Sequence, residues 1–368
     1  MWIYLLLFAG VFMGWSLGTN DAANAFGTAV ATRVVKYRTA IIIIAVMVIF
    51  GAIVAGSGNI HKLAELAASN EVTASSDEVY DAIEKGTHTD LLLKSALKAF
   101  IVFACAGITV FVMSYLKFPV SANQAIVGAV IGWGLCYADY SNPEVLSLNL
   151  KEFGKFASTW LLNPLMAAVI SFLLVVLFNK FFANRLTSLS AYDRIVKIGY
   201  LLAGAFSAFS IGMNSSASVV AFYYDSAFAE TGVASNLLHD VTLGSFTVSG
   251  AQLAAVIGGI AIAVGVLTFS KRVMMTVGSS IAKISQMEGF IVIIAQALTV
   301  LVMGTWMGIP VSTSQAVVGA VVGAGLVHGF KSVNFGVFKN IAIAWVSSPT
   351  VAGLFAYGVA WLTRGYFA

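Results

Sequence analysis

Apolar runs long enough to cross a bilayer recur from one end of this chain to the other, and this recurrence limits the fold more than any other feature. The runs fall at about 2–31, 40–57, 96–116, 120–137 and 157–182, then at about 196–225, 246–269, 287–307, 311–328 and 339–363. A helix needs roughly 20 apolar residues to cross a hydrocarbon core of about 30 Å. In lipid every backbone N–H and C=O must be satisfied internally, which leaves helices or a closed barrel. The short alternating strands of a membrane barrel are absent. Only 10% of the 368 residues are charged, against roughly 25% in soluble domains. The expectation is an all-α integral membrane protein with about ten to twelve membrane helical segments, some of them broken or re-entrant. The first run, MWIYLLLFAGVFMGW, lacks a basic start and reads as a first span rather than a removable leader.

Charge sets the expected orientation. Arg33, Lys36 and Arg38 follow the first run, Lys180, Arg185, Arg194 and Lys197 separate the fifth from the sixth, and Lys271, Arg272 and Lys283 separate the seventh from the eighth. Basic loops collect on the cytoplasmic side. With one crossing per run, the 180–197 loop is then cytoplasmic and the N-terminus extracellular. The acidic stretch 58–95 falls outside, as does the loop carrying Asp225, Glu230 and Asp240. The net charge of +4 is spread over short loops, with no basic patch for nucleic acid. Cys105 and Cys136 lie in apolar runs and read as core filler.

The runs also form two copies. PVSANQAIVGAVIGWGL (119–135) matches PVSTSQAVVGAVVGAGL (310–326) at 12 of 17 positions. SLGTNDAAN (16–24) is echoed by SIGMNSSAS (210–218), so Ser121 answers to Ser312 at an offset of 191 and Asp21 to Ser215 at 194. Five crossings per copy is an odd number, so the halves 1–190 and 191–368 are expected to enter the membrane from opposite faces. Inverted repeats of this kind belong to secondary transporters, with the site at mid-membrane between the halves.

Two kinds of polar cluster interrupt the runs. Each PVS begins a glycine-rich helix. Proline suits a first helical turn, and the unsatisfied N–H groups there, with the helix dipole, attract anions. Ser121, Ala122, Asn123 and Gln124 form one such end, and Ser312, Thr313, Ser314 and Gln315 the other. One copy alone reads as a helix cap with small-residue packing. Two matched copies read as a cradle for a small tetrahedral oxyanion. The second kind holds Asp21, with Asn20, Asn24, Thr19 and Thr28 around it and Gly18 and Gly27 allowing a break in the helix. A mid-membrane carboxylate is costly and marks function. Oxygen ligands suit a hard cation such as sodium, and a lone carboxylate suits a proton equally. Glu288 starts a run and is expected either at the interface or buried. His61, His88, His239 and His328 show no metal spacing. No GxxxxGK[ST], GxSxG or HExxH pattern occurs, so ATP-driven transport and hydrolytic enzyme chemistry lack support.

With Gly18-Thr19-Asn20-Asp21-Ala22-Ala23-Asn24 and both PVS stretches in view, the chain resembles the inorganic phosphate transporter (PiT) family. KRVMMTVGSSI (271–281) and VNFGVFKNIAIAW (333–345) also look like that family's second half. The resemblance implies an inverted repeat, phosphate as cargo and coupling to sodium or protons, with sulfate as the alternative cargo and a passive anion channel as a further one. It places Asn20, Asp21 and Asn24 near the coupling cations, with Asn214 and Ser215 at the matching place. It places Ser121, Ala122 and Asn123 with Ser312, Thr313 and Ser314 around the anion. It also implies a multi-pass protein of the cell (inner) membrane. Small residues on many helix faces fit a homodimer. Three positions depart from the pattern. Ser215 stands where the family has Asp, Ser218 where it has Asn, and Ile293 where it has a membrane glutamate.

Overall fold

The computed structural model describes residues 2–59, 81–82, 84–118, 120–137, 143–182, 188–220, 241–243, 246–277, 281–306 and 311–367. Most of the acidic stretch, the tip residues Pro119 and Pro310, and the loop with Asp225, Glu230 and Asp240 lie outside them. The helices are α1 (Trp2–Ala31), α2 (Tyr37–Ala55), α3 (His88–Tyr115), α4 (Ala122–Tyr137), α5 (Pro143–Phe181) and α6 (Leu189–Val220). They continue as α7 (Gly250–Phe269), the short α8 (Lys271–Val277), α9 (Gln286–Val300), α10 (Thr313–Leu326) and α11 (Phe335–Phe367). Among the described residues the departures from an all-α expectation are a small antiparallel ribbon, β1 (Val241–Leu243) on β2 (Phe246–Val248), with Val241 opposite Val248, and an isolated bridge between Ala282 and Val333.

Among the described residues, seven helices are long and apolar enough to cross a membrane, lying in α2, α3, α5, α6, α7, α9 and α11. Large apolar side chains stay exposed along α2 (Ile42, Val46, Phe50), α5 (Leu161, Leu165, Leu173) and α11 (Val346, Leu354, Leu362). That is the surface a lipid environment requires. The interior, by contrast, buries Ser, Thr, Asn and Gln from eight of these eleven helices.

α4 and α10 differ from the spans. They have 16 and 14 residues, which at 1.5 Å per residue is about 24 and 21 Å, short of the hydrocarbon thickness. Most positions of both are buried, 12 of 16 in α4 and 12 of 14 in α10, so they pack among other helices. Glycine makes the packing tight. A Cβ on Gly128 or Gly132 of α4 would strike the carbonyls of Pro349 and Gly353 in α11. One on Gly319 or Gly323 of α10 would strike those of Pro164 and Ala168 in α5. Each short helix therefore packs on the long, proline-containing helix of the other half of the chain. The same crosswise pattern joins α1 to α7 through Gly18 and Gly265, and α6 to α2 through Gly212 and Gly51. In all four helix pairs, backbone approaches backbone, as small residues allow in membrane interiors.

The expected break in the first span does not occur. α1 is one helix of 30 residues through Gly18 and Gly27. Gly18 has no Cβ because the Ile262 carbonyl occupies that place. The backbone irregularity lies instead in the second half, where α9 widens into a π-helical stretch, Leu301–Trp306. Gly304 sits there against the Asn214 side-chain oxygen.

Candidate functional site

The two PVS tips meet. Asn123 Nδ2 donates to the Val311 carbonyl at 3.0 Å, and Ser314 Oγ donates to the Val120 carbonyl at 2.9 Å. Asn123 and Ser314 are matched positions of the repeat, as are Val120 and Val311. The two bonds are therefore one contact made twice. Each tip is also capped alike: Ser121 Oγ accepts from the Gln124 N–H and Ser312 Oγ from the Gln315 N–H, both at 3.2 Å. Serine is a favoured N-cap because it satisfies one of the helix's free N–H groups. The N–H groups of Ala122 and Asn123, and of Thr313 and Ser314, lie in the first turns and have no partner within the helix ladder. The Ser121 and Ser312 hydroxyls keep their own protons to donate. Neither first turn contains a basic residue.

Asp21 is buried on α1 and faces the second tip. Thr313 Oγ1 donates to its Oδ2 at 2.9 Å, and Asn24 Nδ2 donates to its Oδ1 at 3.2 Å. Asn24 Nδ2 also lies 3.0 Å from Thr313 Oγ1 and 3.1 Å from Ser314 Oγ. With two N–H bonds it can serve two of these three acceptors at once. The carboxylate of the first half is thus tied to the tip of the second. Thr313 and Ser314, expected as donors around an anion, direct their hydroxyl protons to Asp21 and Val120. They present oxygen atoms and backbone N–H groups instead.

The other expected residues are placed as follows. Asn20 does not hydrogen-bond Asp21. Its Nδ2 donates to Ser114 Oγ at 2.9 Å and to the Phe118 carbonyl at 3.1 Å, anchoring the end of α3 just before the first tip. Asn214 does the matching work in the second half. Its Nδ2 donates to the Val311 carbonyl at 2.9 Å, and its Oδ1 accepts the Val311 N–H at 3.3 Å. Ser215 is buried and its Oγ accepts from Asn214 Nδ2 at 3.3 Å. Two residues expected beside Asp21 are elsewhere. Thr19 Oγ1 turns back to the Ser16 carbonyl at 2.7 Å. Thr28 lies seven residues further along α1, about 10 Å away, and lines a separate cavity.

One contact could not be foreseen: Asn163, immediately before Pro164 in α5, donates to the Ser312 carbonyl at 2.7 Å. Its signal is a lone amide in an apolar run. Glu288 is buried but structural. It closes a capping box with Ser285 at the start of α9, and His328 Nε2 lies 2.6 Å from its Oε1. Among the described residues no three His, Cys, Asp or Glu gather to hold a metal ion.

The centre leaves several amide oxygens unpaired, together with the Ser216 and Ser218 hydroxyls and the Gln296 amide nitrogen. The buried side-chain oxygens of Asn20, Asn24, Asn123, Asn163, Gln124 and Gln315 accept no hydrogen bond. In Asn20, Asn123 and Asn163 the amide nitrogen is spent on a backbone carbonyl, which fixes the oxygen as the free group. Buried polar atoms are rarely left unpaired without a reason, and of these oxygens that of Asn24 belongs to a residue bonded to Asp21, where a hard cation would take oxygen ligands.

Comparison with known proteins agrees with this architecture. A model of the "Phosphate transporter family" matches residues 17–356. A "putative phosphate permease" of Pyrococcus abyssi is 26% identical over 421 aligned positions, covering 96% of each chain. Proteins of the same description match from Methanocaldococcus jannaschii, at 29% identity over 95% of this chain and 94% of that one, and from Haemophilus influenzae, at 25% over 99% and 97%. The solved structure titled "The sodium-dependent phosphate transporter" superposes with a TM-score of 0.74 over 99% of both chains at 23% identity. It has the same fold.

Proposed function

The chain belongs to the phosphate transporter family, and from that premise we propose that it is a secondary active importer of inorganic phosphate, coupled to sodium through Asp21. The observation that carries the coupling is the 2.9 Å bond between Thr313 and Asp21. Thr313 is the first residue of α10, so the carboxylate stands beside the N–H groups best placed to receive an anion. Two negative charges about 5 Å apart, at an effective dielectric constant near 20, repel by roughly 3 kcal/mol. A cation held by Asp21 and the free amide oxygens turns that repulsion into attraction. Each ion then raises the affinity for the other, and by linkage the two effects are equal. Phosphate binds at the two tips, received by the Ser121 and Ser312 hydroxyls and the first-turn N–H groups of α4 and α10.

In this reading the halves 1–190 and 191–368 are inverted repeats that rearrange around the site to expose it alternately. The crosswise packing of α4 on α11 and α10 on α5 supports it, as does the contact the tips make twice. Basic residues at the α1–α2 turn, between α5 and α6 and on α8 favour a cytoplasmic 180–197 loop and an extracellular N-terminus. The name of the structural neighbour favours sodium. The test is radiolabelled phosphate uptake into proteoliposomes under a sodium gradient or a pH gradient alone, with excess sulfate as competitor. Sodium-driven accumulation that sulfate leaves intact is the expected result. Sulfate accumulating under a pH gradient, with little phosphate uptake, overturns both cargo and ion. Equilibration without accumulation makes the protein a channel.

A further inference from the structure

Ser312 is the N-cap of α10, and its carbonyl accepts two hydrogen bonds. One comes from the Ala316 N–H at 3.1 Å and opens the ladder of α10. The other comes from Asn163 Nδ2 at 2.7 Å and is the shorter. Asn163 is fully buried on α5, next to Pro164, whose carbonyl fills the place a Cβ on Gly319 would take. Ala168 meets Gly323 in the same way, four residues further along both helices. α5 is therefore held against α10 at two levels, and Asn163 reaches from there to the start of α10.

The other half shares most of this arrangement. Pro349 of α11 packs on Gly128 of α4 as Pro164 packs on Gly319, and the Ser121 carbonyl accepts the Ala125 N–H at 3.1 Å. The residue before that proline is Ser348, however, and its Oγ donates to the Trp345 carbonyl of its own helix at 3.4 Å. The side-chain amide is what the second tip adds. The peptide unit that joins Ser312 to Thr313 is planar and trans, so its carbonyl and the Thr313 N–H point in opposite directions. A bond that holds the carbonyl also holds that N–H. The Thr313 N–H lies in the first turn and has no partner in the helix ladder. A donor at the oxygen also draws charge through the amide and makes its N–H a stronger donor. No basic residue in the first turn of α10 does this work. We infer that Asn163 is a positioning residue for the anion, aiming and polarising the Thr313 N–H at the second tip. The inference rests on the phosphate-transport reading and deepens it.

The test is the initial rate of sodium-driven phosphate uptake into proteoliposomes, measured against phosphate concentration at saturating sodium and scaled to the reconstituted protein. Asn163→Leu keeps the branched shape and removes the amide. Asn163→Ser gives α5 the residue that α11 carries, with a hydroxyl one bond shorter than the amide nitrogen. In both variants the phosphate KM is expected to rise about fivefold, the equivalent of one ordinary hydrogen bond. The maximal rate and the sodium concentration for half-maximal uptake are expected to stay within about twofold. Ser348→Ala is expected to leave all three quantities within the same limit. A merely structural role moves the maximal rate and the sodium requirement together with KM, and that result overturns the inference. An unchanged KM in Asn163→Ser overturns it too, whether or not Asn163→Leu folds. So does an equal rise in Ser348→Ala, because the effect then belongs to both halves. No phosphate uptake by the wild-type protein is a different failure: it overturns the phosphate reading itself, and the role of Asn163 falls with it.

Discussion

The polar centre of α1 and the matching centre of α6 share a motif in sequence and differ as a set. Both keep an asparagine, Asn20 or Asn214, that anchors the backbone beside its own half's tip. Both run through an unbroken helix. On α1 the next residue is Asp21, and it receives Thr313 from the opposite tip. At the matching positions of the second centre stand Ser215 and Ala122. The carboxylate and the hydroxyl that would donate to it are both gone. Asn24 and Ser314 are answered likewise by Ser218 and Asn123. A buried carboxylate without its donors is costly, so losing one member favours losing the other. The lesson is that this chain concentrates its central charge in one half, where related motifs would place a charge in each.

The comparison breaks most sharply if charge is put back. Ser215→Asp alone buries a carboxylate at the position matching Asp21, where Ala122 stands in place of the Thr313 donor. It is expected to destabilise the protein by about 3 kcal/mol, the range for an uncompensated buried charge. Adding Ala122→Thr recreates the donor and is expected to recover about half of that, since a hydrogen bond to a charged group contributes roughly 1.5–3 kcal/mol. Thermal unfolding of the purified variants in one detergent reads both steps. Equal destabilisation in single and double variants means the two centres are not equivalent in geometry.

Next in size is Asp21→Asn, which keeps the shape and removes the charge. Phosphate uptake at a saturating sodium gradient is expected to fall about 100-fold, the equivalent of about 2.7 kcal/mol, and the remainder is expected to be independent of sodium. A sodium dependence that survives moves the coupling ion away from α1. Thr313→Val then gives the second tip the apolar character of Ala122. It removes one hydrogen bond to a charged group, so the sodium concentration for half-maximal uptake is expected to rise about tenfold. Thr313→Ser is expected to restore it, which separates the hydroxyl from the methyl group.

Much of this was legible in the sequence, and the failures have definite causes. Apolar runs located the long helices, because lipid allows little else, although α3, α5 and α6 begin 8, 14 and 7 residues before their runs. The repeat located both tips, and the lone acid located Asp21. Gly18 was misleading. Glycine within a helical pattern reads as a break, yet here it admits the α7 backbone, a partner 244 residues away that local sequence cannot reveal (Gly18 against Ile262). Thr28 shares a face with Asp21 by helical period, but period says nothing about distance along the axis. The runs 120–137 and 311–328 looked long enough to span, whereas the helices proper begin after the capping serines and are short. Asn163 has no repeated counterpart, since Ser348 precedes the second proline. Nothing but the fold brings it to Ser312.

The smallest expected effect is the most discriminating. Ser215→Ala removes a hydroxyl that, among the described residues, accepts a hydrogen bond from its neighbour Asn214 at 3.3 Å. Asn214 keeps its two bonds to Val311, so the second tip stays anchored without Ser215. If the second centre has ceded ion binding to the first, uptake and its sodium dependence change by less than about twofold, under roughly 0.4 kcal/mol. A tenfold rise in the sodium requirement has a different meaning: Ser215 Oγ is a neutral cation ligand, and the second centre has lost its charge while keeping its ion. Pairing the variant with Asp21→Asn sharpens the reading. Two independent centres give multiplicative losses, and one shared centre gives a double variant no worse than Asp21→Asn alone.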